Sequence, residues 1–161
     1  MKIIFLHGLE SNNKSSKVTS MLNNGYQVHA PEMQYHSNLN LYSETLNFVL
    51  DYKPELIVGS SMGGYFAFHL GTHFKTNLLL LNPALHGRSF DPPIIKDGAE
   101  ESRIWALVGN NDTVIDPVKN TQILNNFGST VKLGDHGHRT PLDVFEPFFV
   151  EVIDIMRSGH N

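Results

Sequence analysis

The sequence contains no cysteine among its 161 residues. Disulfide bridges, zinc sites built from thiolates and a cysteine nucleophile are therefore excluded. Long apolar runs are missing as well, and the run near the start, Ile3–Leu6, is too short for a signal-peptide core or a membrane span. We therefore expect a soluble, cytoplasmic protein without a membrane partner.

Positive charge is also scarce. The chain has 12 lysine and arginine residues against 16 acidic ones, which gives a formal net charge of −4. The basic residues are scattered, so the sequence gives no electrostatic reason to expect nucleic acid as a partner. Hydrophobic residues make up 40% of the chain, enough for a packed core. The length predicts a single domain over residues 1–161, and a monomer is compatible with it.

Short apolar runs alternate along the chain with longer stretches of helical spacing. The apolar runs predict six strands: Ile3–Leu6, Tyr26–His29, Leu56–Val58, Leu78–Leu81, Ile104–Val108 and Thr130–Leu133. Most lack polar alternation, as expected for a parallel sheet that is covered on both faces. The intervening segments predict helices: 17–23, Leu41–Tyr52, Gly63–Phe74, Pro117–Phe127 and a phenylalanine-rich helix capped by Asp143 with Glu146. This order predicts an α/β fold with a mainly parallel, doubly wound sheet and a site at the carboxyl ends of its strands.

A glycine-flanked serine follows the third predicted strand. Ser61 has Gly59 two residues before it and Gly63 two residues after it, between a strand and a helix. A serine nucleophile on such a strand-to-helix turn needs glycine at both places because the backbone passes very close there. Ser60 would have Val58 and Met62 at those places, so Ser61 is the predicted nucleophile.

Two backbone N–H groups are candidates for an oxyanion hole. The helix after the predicted nucleophile would present the N–H of Met62, together with the positive end of its dipole. The first strand ends in His7-Gly8. Enzymes with a serine nucleophile on a strand-to-helix turn place a second donor there, which would be the N–H of Leu9. Taken alone, the His-Gly pair would indicate only a turn.

The acid of a catalytic triad should follow the nucleophile along the chain. Asp112 lies in the loop after the fifth predicted strand, where its carboxylate could orient a histidine. Asp116 is the alternative, but it precedes Pro117 and is better placed to cap the next helix. The sequence therefore favours Asp112.

Two histidines in the loop after the last strand are candidates for the base, His136 and His138. Either could accept the proton of the serine and return it to the leaving group. The spacing of the residues does not separate them.

With these residues, the chain resembles the YqiA-like esterases, small bacterial members of the α/β-hydrolases. The resemblance extends over nearly the whole chain, through the segments 6–8, 59–65, 81–84, 109–112 and 134–136 and the late helix. It implies the α/β-hydrolase fold, esterase activity on small acyl esters, no cofactor, and His136 as the base. The chain departs from the family pattern at His138, where such proteins tend to carry an aromatic residue.

The connection after the fourth strand is short for an α/β-hydrolase. Residues 82–103 are interrupted by glycines and by two consecutive prolines, so we expect a loop and no lid domain. An open, shallow site would follow, lined by Leu9, Tyr65 and Leu85. Such a site fits a small acyl group.

Three alternatives stay open at this point. A thioesterase could use the same triad. A metal-dependent hydrolase could use Asp135, His136 and His138 as ligands, although no further ligand stands at a suitable spacing. A binding protein could keep the fold without doing chemistry, although no feature of the sequence supports this.

Overall fold

The computed structural model describes residues 1–159 except 72, 74, 90 and 92–101. The described residues form six strands and five helices. The strands are β1 (Lys2–Leu6), β2 (Gln27–His29), β3 (Leu56–Ser60), β4 (Asn77–Leu81), β5 (Arg103–Gly109) and β6 (Thr130–Gly134). The helices are α1 (Ser16–Asn23), α2 (Leu41–Tyr52), α3 (Met62–Leu70), α4 (Pro117–Asn126) and α5 (Leu142–Ser158).

The strands form one parallel sheet in the order β2-β1-β3-β4-β5-β6. The predicted doubly wound sheet of six strands is therefore confirmed. β3 and β5 run further than predicted because their last residues still pair, Ser60 with Leu81 and Gly109 with Gly134. The strand order reverses between β1 and β3, and a crevice opens at such a point beyond the carboxyl ends of the strands.

Alternate residues of the strands point to opposite faces of the sheet, and each face has its own core. Helices α1 and α5 cover one face, where Phe5, Val58 and Leu81 lie among the phenylalanines of α5. Helices α2, α3 and α4 contribute to the core on the other face, which contains Leu6 and Val108. Both faces are buried, which explains why the strands lack polar alternation.

Two helix ends differ from the sequence prediction. Helix α3 ends at Leu70, and Phe74 lies outside the described residues. Helix α5 begins at Leu142 with no side-chain cap, so the predicted capping box of Asp143 and Glu146 is wrong. The Glu146 carboxylate instead accepts a hydrogen bond from Ser20 Oγ of α1 at 2.5 Å. This bond joins the two helices that cover the same face of the sheet.

The predicted absence of a lid concerns residues 82–103, of which 90 and 92–101 lie outside the described residues. Among the helices that the structure describes, none has the length and hydropathy that a bilayer crossing requires.

Helix α5 offers a matched test of its buried face. Val152 is fully buried against the sheet, whereas Val150 on the same helix is 54% exposed. Val152→Ala removes two buried methyl groups and leaves a cavity, so we expect the free energy of unfolding to fall by about 2 kcal/mol. Val150→Ala should change it by less than about 0.5 kcal/mol. Urea unfolding followed by circular dichroism measures both, and equal effects would contradict the assigned faces.

Candidate active site

Ser61 connects the end of β3 to the start of α3 in a single residue. Its backbone has φ of 53° and ψ of −115°, a positive φ that is strained for a residue with a side chain. Two backbone hydrogen bonds hold this turn: the N–H of Ser61 donates to Leu81 O at 3.0 Å, and the N–H of Ala84 donates to Ser61 O at 2.9 Å. The strained turn that the glycine spacing predicts is therefore present.

The two glycines beside Ser61 lie where no side chain fits. A Cβ on Gly59 would come within 2.5 Å of the carbonyl oxygen of Gly63. A Cβ on Gly63 would collide with the carbonyl oxygen of Leu6, at the end of β1. Helix α3 can therefore begin directly over the sheet, and the Ser61 hydroxyl faces the crevice between β1 and β3.

His138 brings a ring nitrogen to the Ser61 hydroxyl. Its Nε2 lies 2.9 Å from Ser61 Oγ, and its Nδ1 lies 2.8 Å from Asp112 Oδ2. A carboxylate can only accept, so Nδ1–H donates to Asp112, and Nε2 is left to accept the hydroxyl proton. The three side chains therefore form one continuous relay in a consistent tautomer.

The loop after β5 fixes the carboxylate of Asp112. Its side chain is 1% exposed. Oδ1 accepts the backbone N–H of Val114 at 2.8 Å and of Ile115 at 2.9 Å, which leaves Oδ2 for His138. These hydrogen bonds fix the orientation of the carboxylate. Asp116, the alternative acid, caps α4 through the N–H groups of Val118 and Lys119, as its position before Pro117 indicated.

The structure contradicts the prediction of His136 as the base, because His138 rather than His136 contacts Ser61 Oγ. Its Nδ1–H donates to the carbonyl oxygen of Gly137 at 2.8 Å, and its Nε2 is buried without a hydrogen-bond partner among the described residues. A Cβ on Gly109 or Gly134 would lie within 3 Å of this ring. His136 thus fills a slot at the ends of β5 and β6. Which of the two histidines contacts Ser61 depends on how far the loop extends over the sheet. The spacing of the residues does not encode this.

Asn82 is a site residue that the sequence analysis missed. It follows β4 directly, is fully buried and has a φ of 42°. Its Nδ2 donates to the carbonyl oxygen of His138 at 2.7 Å, and its Oδ1 accepts the N–H of Gly109 at 2.7 Å. Asn82 therefore ties the loop that carries His138 to the end of β5. The available signal was an asparagine directly after a buried strand, since asparagine tolerates positive φ better than most residues.

Two backbone N–H groups beside Ser61 are free to receive a ligand. Those of Leu9 and Met62, the predicted oxyanion donors, make no hydrogen bond within the described part of the chain. Met62 is the first residue of α3, where an N–H has no partner inside the helix. The Gly8 backbone packs beside the serine, since a Cβ on Gly8 would lie 3.2 Å from Ser61 Cβ.

Buried side chains hold the loop after β1 in place. The Nε2 of His7 accepts the N–H of Met33 at 2.8 Å, so its Nδ1–H must donate to the carbonyl oxygen of Gly8, also at 2.8 Å. The Tyr35 hydroxyl donates to the carbonyl oxygen of His7. Burial raises the pKa of Tyr35, so this hydroxyl stays protonated and remains a donor.

A cavity of about 700 Å³ lies beside Ser61 and His138. This volume falls within the usual range for a small-molecule site. Leu9 lines the cavity, but Tyr65 and Leu85 do not belong to its described lining, which corrects their assignment as substrate contacts. Tyr65 is instead buried on α3 under the Arg88 guanidinium, 4.0 Å from its ring, and Leu85 packs against the core.

The three side chains of the metal alternative are not arranged as ligands. Within the described ranges, no three histidine or acidic side chains are grouped closely enough to hold a metal ion. Asp135 accepts a hydrogen bond from Asn111 at 2.7 Å, and both nitrogens of His138 are used in the relay.

The chain has the α/β-hydrolase fold. A protein from Xanthomonas campestris pv. campestris, described as a hydrolase of the α/β superfamily, is 21% identical to it and has a TM-score of 0.76, over 95% of this chain and 98% of that one. A pyrethroid hydrolase from Sphingobium faniae JZ-2 is 16% identical, with a TM-score of 0.71 over 98% and 97% of the two chains. Esterase PE8 is 12% identical, with a TM-score of 0.71 over 96% and 92%. Residues 2–96 match UPF0227, described as an uncharacterised protein family, and the chain belongs to this family.

Substitutions at Asn82 test its role in holding the loop. Asn82→Ala leaves the buried N–H of Gly109 and the carbonyl of His138 without their partner, so the free energy of unfolding should fall by about 1–3 kcal/mol. Asn82→Gly loses the same hydrogen bonds but tolerates the positive φ, so it separates the bonds from backbone strain. Asn126→Ala, at an exposed position, is the control, with an expected change below about 0.5 kcal/mol. Urea unfolding of the three variants checks this, and a similarly small effect at Asn82 would refute the assigned role.

Proposed function

We propose that this chain is a serine hydrolase that cleaves small acyl esters, with Ser61 as nucleophile, His138 as base and Asp112 as the orienting acid. The observation that carries the proposal is the relay from Asp112 Oδ2 through His138 to Ser61 Oγ, with distances of 2.8 and 2.9 Å. A turn that only connected a strand to a helix would have no need of a strained serine at this position.

In the first step, Ser61 Oγ attacks the carbonyl carbon of the ester while its proton passes to His138 Nε2. The imidazolium that forms is stabilised by the negative charge of Asp112. A tetrahedral intermediate results, with the former carbonyl oxygen bearing a negative charge.

The backbone N–H groups of Leu9 and Met62 are the proposed donors to this oxyanion. Both are unpaired within the described chain and flank the serine. Donors that are held in place before the reaction need no rearrangement as charge develops, so they stabilise the transition state more than the substrate. The buried hydrogen bonds of His7 and Tyr35 keep the Leu9 loop in this position.

The intermediate then collapses, and the bond to the leaving alcohol breaks as His138 returns its proton to the alcohol oxygen. This leaves the acyl group on Ser61. A water molecule then attacks the acyl carbonyl while its proton passes to His138, which again acts as base. The acid leaves as His138 returns the proton to Ser61 Oγ. A thioester would follow the same steps, so the substrates tested should include both. The name of esterase PE8, a structure with this fold, supports an ester.

Ser61→Ala is the first test. It should abolish labelling by a fluorophosphonate probe and lower the turnover of p-nitrophenyl acetate and butyrate by about 10⁴–10⁶-fold, because the members of a triad fail as a unit. Activity that survives Ser61→Ala and disappears with a chelator would instead indicate a metal-dependent hydrolase. A folded wild-type protein with neither labelling nor turnover would indicate a binding protein.

The two histidines provide a matched second test. His138→Asn removes the base and should reduce turnover nearly as far as Ser61→Ala does. His136→Asn keeps an N–H donor in the place of Nδ1, so it should retain most of the activity if the variant remains folded by circular dichroism. The reverse ranking of these two variants would assign the base to His136.

A further inference from the structure

The cavity beside Ser61 carries positive charge in a chain that is negative overall. Its described lining contains three cationic side chains, Lys17, Arg88 and Arg139, and one carboxylate, Glu10. The chain as a whole has a formal net charge of −4. The sign of the cavity is therefore opposite to that of the surrounding protein.

Arg88 is already used by the fold. Its Nε donates to Asp91 at 2.7 Å, and one terminal nitrogen donates to the carbonyl oxygen of Leu85 at the same distance. Its guanidinium also lies over the ring of Tyr65. These contacts occupy the Arg88 guanidinium without a ligand. Lys17 and Arg139 are therefore the two cations of the lining with which an anionic ligand could pair.

Lys17 lies in the first turn of α1 and is half-buried. Among the described residues it has no carboxylate within 4 Å, and burial lowers its pKa. The ring of Phe145 is 6.0 Å away, the outer limit of a cation–π contact. A partly desolvated ammonium without a counter-ion is unfavourable, and an anion in the cavity would relieve this.

Arg139 follows His138 directly and is exposed at the cavity. It makes no ion pair with any described residue. Glu10 is exposed too and, within the same residues, neutralises neither Lys17 nor Arg139. A guanidinium presents a planar fork of donors that matches carboxylate and phosphate groups, so its free state beside the nucleophile suits an anionic ligand.

We infer that the substrate is an ester that carries an anionic group, and that Lys17 and Arg139 bind this group while Ser61 reaches the ester carbonyl. This inference rests on the proposed hydrolase function. The two residues are determinants of specificity, since an opposite charge on the substrate would favour both its approach to the cavity and its orientation there.

The test compares esters that differ only in charge. Mono-p-nitrophenyl adipate carries a carboxylate where p-nitrophenyl hexanoate ends in a methyl group. A third ester, 3-carboxy-4-nitrophenyl hexanoate, places the carboxylate on the leaving alcohol instead. We expect kcat/KM for at least one anionic ester to exceed that of the neutral ester by about tenfold, a preference that weakens at high salt. The anionic ester with the higher kcat/KM shows whether the cations act on the acyl side or on the leaving-group side of the scissile bond.

The variants Lys17→Gln and Arg139→Gln should each reduce this preference several-fold, mainly through KM, and the double variant should abolish it. Lys14→Gln removes the same charge from an exposed lysine outside the described cavity lining, so it should leave the preference unchanged. An unchanged preference in the double variant, or no preference in the wild type, would overturn the inference while the hydrolase proposal stands.

Binding to Ser61→Ala separates the two proposals. This variant should bind at least one of the two anionic esters intact in a calorimetric titration, and adding Lys17→Gln and Arg139→Gln should weaken that binding by about tenfold or more. Weakened binding supports the anion site even if the wild type proves inactive on every ester. Equal binding in the two backgrounds contradicts it.

Discussion

The close approach of three backbone segments at Gly59 and Gly63 is the constraint on which the site depends. Strand β3 ends and helix α3 begins on either side of Ser61, so the chain changes direction within one residue. The turn is possible because no Cβ stands between Gly63 and the end of β1. It forces a positive φ on a serine, a strain of about 1–3 kcal/mol that the hydrogen bonds around Ser61 hold in place. The exposure of the hydroxyl is therefore a consequence of backbone packing.

The opposite side of the site depends on two buried side chains, Asn82 and Asp112, whose polar atoms find partners. Both the nitrogen and the oxygen of the Asn82 amide and both carboxylate oxygens of Asp112 are engaged in hydrogen bonds. Leaving a buried donor or acceptor unpaired costs about 1–3 kcal/mol, so the loop that carries His138 is strongly biased to one arrangement. The orientation of the imidazole is thus set by the ends of β4 and β5. Its position relative to Ser61 follows from the order of strands in the sheet.

The loop after β1 combines these two kinds of restraint. Its backbone must stay close to Ser61, and the His7 ring and the Tyr35 hydroxyl fix it from the far side. The His7 ring accepts one hydrogen bond and donates another, and the Tyr35 hydroxyl donates one. The charged side chains Lys17 and Arg139 line the cavity and take no part in these hydrogen bonds.

The sequence by itself determined the order of strands and helices, because apolar runs and helical spacing record which faces are buried. It also singled out Ser61 and Asp112, which the structure places on either side of His138, since a glycine on each side of a serine and an aspartate after a strand are local signals. Only the tertiary structure decided three other features. These are the contact of the His138 ring with Ser61, the hydrogen bonds of Asn82 and the set of residues that line the cavity. In each case, residues from separate strand ends meet across the sheet, and no local pattern records such a distance.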